Sequence, residues 1–469
     1  MPKQRTPRPP RKRRTKRRSA GPQTPVYAGP FGRAQAERLL WRAGFGPRPG
    51  QADEFAGLGL RAAVDRLLHP PSQGLTGPGP TNGKGGGLVP QHAWGHDHLW
   101  WLDRMVRADA PLIERMTLVW HDWFATSRSG VPTAKLMLDQ NQLLREHSLG
   151  TFRELTVRVT KDPAMLIWLS GAANNAQAPN ENYARELMEL FTLGARASYS
   201  ERDVREQARA LTGWRADWKA TGPTNFRFDR RLHDPGSKRI FRRAGTYDWR
   251  DAVELCLEHG AHPGFFVRKL WSYFIPSPPD ARTEQALAAL YRDSGTEIRP
   301  VLEAILLHPA LHEGPRMVKP PVVHTAGMLR ALGRGVDTDS WVWVNSMSGQ
   351  QLFIPPNVAG WDDQRWLDTA TWRGRWHAAG AALMPFTLTD AAAYLASVGG
   401  SETPEEGVNR ALSFWGDPAI TPETRQHLIA FAADCEQLGN PRDKKRSHLV
   451  LRQNALRQLI ATSPDYQTS

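Results

Sequence analysis

Hydrophobic and polar positions follow the period of a helix in almost every segment of this chain. Between Glu181 and Phe191, at about 100° per residue, Tyr183, Ala184, Leu187, Met188, Leu190 and Phe191 fall on one arc, and Glu181, Asn182, Arg185, Glu186 and Glu189 on the opposite one. Asn180 stands where a side-chain oxygen caps an orphan N–H, Glu181 lies at the positive end of the dipole, and Gly194 supplies a left-handed stop. Ser200 and Asp203 open a second helix as a capping pair. The same period predicts helices over 32–43, stopped at Gly44, and over 55–68, ending before Pro70. It continues through most of 94–169, with Pro111 and Pro163 suited to first turns. Further helices are predicted over 249–274, 283–293, 298–307, 318–333, 378–397, 404–413, 422–436 and 445–461.

Three stretches break the pattern. Residues 70–90, rich in Gly and Pro, read as a flexible loop able to cover or border a site. Residues 225–246 carry Phe226-Arg227-Phe228 and Arg239-Ile240-Phe241 on either side of His233-Asp234-Pro235-Gly236, which predicts a small hairpin with His233 near its turn. Residues 341–377 are irregular and rich in tryptophan. Strands do not alternate with helices and no repeat is visible. The expected fold is mainly α: a single large helical domain over 31–466 with a small β-hairpin insertion, preceded by a disordered basic N-terminal arm over 1–30.

Composition sharpens this reading in three places. Of the formal net charge of +14, ten Lys and Arg lie in residues 1–30 without a single Asp or Glu, leaving only +4 for the rest. The basicity is mostly a tail, which either binds polyanions such as nucleic acid or anionic lipid headgroups or serves only as a solubilising or mis-annotated extension. Two cysteines far apart, Cys256 and Cys435, make neither a disulfide framework nor a zinc site. No apolar run approaches the roughly 18 residues of a membrane span, and the adjacent arginines of the tail lack the apolar stretch of an export signal. Cytoplasmic residence is the default expectation.

Several polar constellations are candidates for chemistry. Asn182, Glu186 and Glu189, at i, i+4 and i+7, project either oxygen ligands and an acid/base pair into a cleft, or a solvated ladder in which Glu181, Arg185 and Glu189 pair along the helix. His233, Asp234 and Lys238 place an imidazole, a carboxylate and an ammonium on one turn, where substrate can reach them or where they serve ordinary turn chemistry. Arg227, Arg230, Arg231, Lys238, Arg239, Arg242 and Arg243 make the hairpin region basic, fit either to hold a phosphate, sulfate or carboxylate or to keep a strand edge solvated. Trp361 and Trp366, with Trp372 and Trp376, offer faces for stacking on a sugar ring or fill a core. His92 and His96 have one-face spacing but no zincin glutamate. No P-loop, dinucleotide fingerprint or nucleophile elbow appears.

The segment 179–214 resembles the signature of the bacterial family catalogued as domain of unknown function 1800. The resemblance continues at 39–46, 114–127, 140–166, 233–241, 265–271, 317–333 and 355–367, and so spans nearly everything after the first 30 residues. Members of that family usually carry a second histidine two residues after the first in a Trp-His-x-His-Phe segment, whereas this chain reads Trp120-His121-Asp122-Trp123-Phe124. A two-histidine metal pair is thereby lost, although His121 and Asp122 remain candidate ligands for a divalent metal. The resemblance implies an uncharacterised bacterial protein. Its polar motifs suggest a hydrolase-like enzyme in which His121, Asp122, Glu186, Glu189 and His233 converge as metal ligands or acid/base groups. In that reading Arg185 and Lys238 stabilise an anionic group, and Asn182, Arg239, Trp361 and Trp366 bind an anionic or carbohydrate substrate. The alternative is a non-catalytic accessory or scaffold protein that binds polysaccharide or a partner. Members of the family are commonly encoded beside proteins resembling the alkaline-phosphatase fold that carry export signals, so such a partner, and passenger export to the envelope with it, is also implied.

Overall fold

A computed structural model describes residues 24–194, 196–439 and 446–469. The fold is mainly α: among the described residues there are 23 α-helices and four short strands in two separate hairpins. Of the expected arm, residues 1–23 lie outside the described residues. From Thr24 the chain runs against the helices, with Tyr27 buried, its N–H bonded to the Leu307 carbonyl at 2.8 Å and its ring stacked on His312.

Punctuation in the sequence is honoured by the backbone. Pro111 and Pro163 occupy first turns, Ser200 and Asp203 form a reciprocal capping box, and Asn180 Oδ1 accepts the Asn182 N–H at 2.9 Å. Longer predicted helices are cut where the backbone demands it. The helix expected over 55–68 is two, Gln51–Leu58 and Leu60–Leu68, because Gly59 adopts φ +77° between them. The segment 249–274 divides into Trp249–Leu257 and His262–Ser272, with Pro263 in the first turn of the second. The tryptophan-rich stretch is less irregular than its sequence suggests, since Ser340–Met347 and Thr369–Leu383 are helical and flank a loop. Residues 70–90 form no helix or strand.

The hairpin insertion is two hairpins. Strands β1 (Trp214–Lys219) and β2 (Gly222–Phe228) pair antiparallel, as do β3 (Lys238–Ile240) and β4 (Arg243–Gly245). His233 therefore sits in the connection between the two hairpins and not at the turn of either.

Two large hydrophobic cores organise the helices. One gathers Leu39, Leu40, Val119, Trp120, Trp123, Phe152, Phe191, Phe266 and Leu302; the other gathers Trp41, Leu102, Leu118, Val323, Leu329, Trp341, Trp361, Trp366 and Ile460. The helices Arg33–Arg42 and Pro111–Trp123 contribute to both, so each forms part of the seam. Buried Glu114 pins the second of these: its carboxylate accepts from Arg104, from both Nε and Nη2 of Arg145, and from the Trp101 indole at 2.6–3.2 Å.

The helices Ser340–Met347 and Thr369–Leu383 approach so closely that a methyl group on Gly374 would fall 2.4 Å from the Ser348 nitrogen. Gly374→Ala is therefore expected to destabilise by about 1–3 kcal/mol through overpacking. On the same helix, exposed Gly380 has nothing nearer than 3.9 Å, so Gly380→Ala should stabilise by about 0.5–1 kcal/mol. Urea denaturation of the two variants reads both, and equal effects would refute the packing argument.

Candidate functional site

Two helices present parallel stripes to one cavity at the seam. From Pro111–Trp123 come Arg115, Leu118, Val119 and Asp122, at i, i+3, i+4 and i+7; from His262–Ser272 and the residue after it come Lys269, Ser272 and Tyr273, at i, i+3 and i+4. Met317, Pro320, Gln350, Trp361, Asp363 and Trp366 complete the wall of a cavity of about 180 Å³. Its lining draws on four of the segments that carry the family resemblance, 114–127, 265–271, 317–333 and 355–367.

Asp122 is the hub of this wall. Its Oδ2 accepts the Tyr273 hydroxyl at 2.7 Å and its Oδ1 accepts the Trp361 N–H at 2.8 Å. The second contact depends on Gly360, which adopts φ +96° and passes so close that a Cβ there would lie 2.2 Å from Asp122 Oδ1. Only glycine meets both requirements. Burial raises the Asp122 pKa, opposed by these two hydrogen bonds.

The cations are desolvated too. Arg115 is only 4% exposed and forms no ion pair among the described residues; its Nε and Nη2 donate to the Arg42 and Tyr273 carbonyls. Burial lowers its pKa to about 10, against the opposing influence of Tyr273 and Asp122. Lys269 donates to the Leu190 carbonyl at 2.9 Å, sits 4.6 Å over the Trp123 ring and is pushed down to about 8 by burial, with Asp122 pulling the other way.

The Leu190 carbonyl is available because the helix begun at Asn182 widens into a π-helix over Leu187–Leu193. Its terminal carbonyls at Leu190, Phe191 and Thr192 bond to Lys269, the Trp123 indole and His262. A π turn leaves such groups for side chains to satisfy, and these turns recur at functional sites. The sequence pattern predicted an ordinary α-helix here.

The residues selected from sequence are distributed as follows. Asp122, Trp361 and Trp366 line the cavity, and the indole nitrogens of both tryptophans are buried without a partner. His121 points elsewhere, into a cage of Trp101, Phe353 and Trp361; it is 1% exposed, its Nε2 has no partner, and burial holds it neutral with a pKa of about 3. Arg185, Glu186, Glu189, His233 and Lys238 do not line this cavity. Arg185 bridges Glu181 and Glu201, Glu189 accepts from Tyr199 at 3.5 Å, and Asn182 is exposed. Glu186 has its pKa raised by burial and by Glu189. His233 Nδ1 lies 3.0 Å from the Thr212 carbonyl, and Lys238 Nζ ties the Asp234 and Gly236 carbonyls into the turn. Arg239 lies on β3 beside a separate hollow. Further afield, His98 accepts the Leu352 N–H and His96 the Val89 N–H, so that cluster is structural.

Among the described residues no group of three or more His, Cys, Asp or Glu is arranged to hold a metal ion. With both Asp122 oxygens engaged and His121 facing an aromatic cage, the side chains present do not fit a divalent cation. Sequence reasoning missed Arg115, Lys269 and Tyr273. Their signal was the recurrence of polar residues at i, i+3, i+4 and i+7 spacing along one face of each of two helices.

Fold and cavity together define a mainly helical protein with a half-buried acid, amine and phenol converging between two cores. The chain belongs to the family described as protein of unknown function (DUF1800), whose model matches residues 38–468. No curated protein and no solved structure matches it.

Tyr273→Phe removes a donor from ionised Asp122, and hydrogen bonds to charged groups contribute about 1.5–3 kcal/mol. Because that bond favours the ionised carboxylate, the stability gap between parent and variant should be full above the folded-state pKa of Asp122 and close as pH falls through it. Urea denaturation across that range checks the sign; a gap that widens in acid would contradict it.

Proposed function

We propose that this protein is a hydrolase-like enzyme acting on a small anionic substrate, with its chemistry in the seam cavity. The observation that carries this is the convergence of Asp122, Lys269, Tyr273 and Arg115 on one cavity of about 180 Å³. A lysine pushed down to about 8 holds protonated and neutral populations near neutral pH, the condition for a group that takes a proton from water and returns it to a leaving group. Arg115 supplies a fixed guanidinium for the anionic part of the substrate. Asp122, tied by Tyr273 and Trp361, sets the field that keeps Lys269 from falling further.

Chromogenic phosphate, carboxylate and sulfate esters test the reading. Turnover of at least one is expected, with kcat/KM rising through pH about 8 as Lys269 loses its proton, and Lys269→Met is expected to lose about 10²-fold or more. Lys269 also leaves a stability signature. Its folded-state pKa lies below the unfolded value of 10.5, so the unfolded chain binds the extra proton between those values and stability should rise with pH across that window. The rise should vanish in Lys269→Met. Undiminished turnover by the variant, or no turnover of any ester by the parent, overturns the proposal.

A second reading, an accessory protein binding polysaccharide, is favoured by one observation. Trp94 and Trp343 are 61% and 59% exposed, with ring centroids 4.8 Å apart, an arrangement suited to the apolar face of a sugar. Affinity electrophoresis in a soluble glucan should retard the parent, and Trp343→Ala should abolish the retardation; equal mobility with and without glucan removes this reading.

A further inference from the structure

A second hollow, of about 680 Å³, is separate from the seam cavity and shares no lining residue with it. It lies where the first turn of the helix Glu201–Ala210 meets the β3–β4 hairpin. Three guanidinium-bearing residues line it, Arg202, Arg239 and Arg242, together with the aromatic rings of Tyr199, Phe241 and His259.

The charge balance around this hollow is uneven. Each neighbouring acid is already engaged. Glu201 takes both its oxygens to Arg185. Asp203 accepts from Ser200 with one oxygen and from the Phe241 N–H with the other. Glu206 is bound to Arg209 and to the Arg239 N–H, and Glu258 to Arg243. By contrast, the side chains of Arg202, Arg239 and Arg242 form no ion pair among the described residues. A salt-bridged surface has thus left three guanidinium groups over, and they face one concavity.

The hairpin is bent to present them. Phe241 and Arg242 stand in the left-handed region at φ +47° and +66°, a turn normally made with Asn and Gly. Neither residue favours that conformation. The strain places Arg242 and the Phe241 ring on the hollow's wall, the ring lying 4.8 Å from His259.

We propose that this hollow binds the phosphate or sulfate ester group of a small molecule. Guanidinium groups form paired, charge-assisted hydrogen bonds to tetrahedral oxyanions. The first turn of the helix adds the favourable end of its dipole. The volume exceeds what a bare oxyanion fills, and the aromatic side chains offer apolar contact to the rest of the ligand.

Isothermal titration of the full chain with inorganic phosphate, glucose 6-phosphate and glucose 6-sulfate tests this. Arg239→Gln and Arg242→Gln should each weaken binding about tenfold and the double variant about a hundredfold, the scale of a lost charge-assisted bond. Arg243→Gln removes the same charge from the same hairpin, but its guanidinium is held by Glu258, so binding should stay within about twofold of the parent. Binding of the sugar esters more tightly than inorganic phosphate assigns an ester; equal binding assigns the free oxyanion to the same residues. Circular dichroism confirms that the variants, all at exposed positions, remain folded. Equal weakening by Arg243→Gln and by Arg239→Gln, or no saturable binding of any of the three probes, overturns the assignment.

Discussion

A protein made of many short helices must dispose of many C-terminal carbonyl groups, and this one does so with buried arginines. Every helix leaves its last four carbonyls without an intrahelical partner, and here the ends are packed too deeply for water to serve them all. Arg42 reaches the Phe274, Pro315 and Ser469 carbonyls; Arg330 reaches those of Gly46 and Val106; Arg334 takes those of Ala381 and Ala382; Arg375 takes those of Trp366 and Lys319. Each guanidinium ties two segments together, and those of Arg42, Arg330 and Arg334 place positive charge near the C-terminal end of a helix. The cost is visible in acidity: burial lowers Arg42, Arg330 and Arg375 to about 9. Removing one of these side chains would orphan several carbonyls at once.

The seam cavity is an exception built from the same materials. Arg115 belongs to this set of carbonyl-binding arginines, yet it also faces open space, as do Lys269 and Asp122. Two helices that otherwise feed apolar residues into the cores carry ionisable groups on the faces that meet at this cavity. Burying charge without a direct ion pair is unfavourable, and the structure sustains it by hydrogen bonds to backbone and by the Gly360 turn. A chain selected only for stability would fill that volume with leucine.

Much of the fold was legible because helices announce themselves through period and punctuation. The capping box at Ser200, the first-turn prolines and the mainly α architecture were all readable. What escaped depended on three dimensions. A π turn at Leu187 obeys nearly the same hydrophobic period as an α-helix, so only the partners of Leu190, Phe191 and Thr192 reveal it. Asp122, Trp361 and Trp366 were selected from sequence and do share a cavity. Arg115, Lys269 and Tyr273 were not, since a charged residue in an amphipathic helix reads as solvated until its neighbours are known. Conversely, the helix face was open to two readings, Asn182, Glu186 and Glu189 as ligands or Glu181, Arg185 and Glu189 as a solvated ladder, and the fold pairs Arg185 with Glu181. Basic residues were read as tail or patch, whereas several of the most deeply placed arginines are internal fastenings.

That the cavity lies between two hydrophobic cores, and inside neither, has a consequence for how the molecule comes apart. Each core is large enough to behave as a cooperative unit of its own, and such units open with separate free energies unless something bridges them. The bridges are the helices that feed both cores, Arg33–Arg42 and Pro111–Trp123 among them, together with whatever occupies the space beside Asp122. A small molecule seated there touches residues of both units, so its binding energy is added to each of their opening reactions at once. The ligand would act as mortar, merging two melting events into one, and the sharpness of the thermal transition would report occupancy as faithfully as its midpoint.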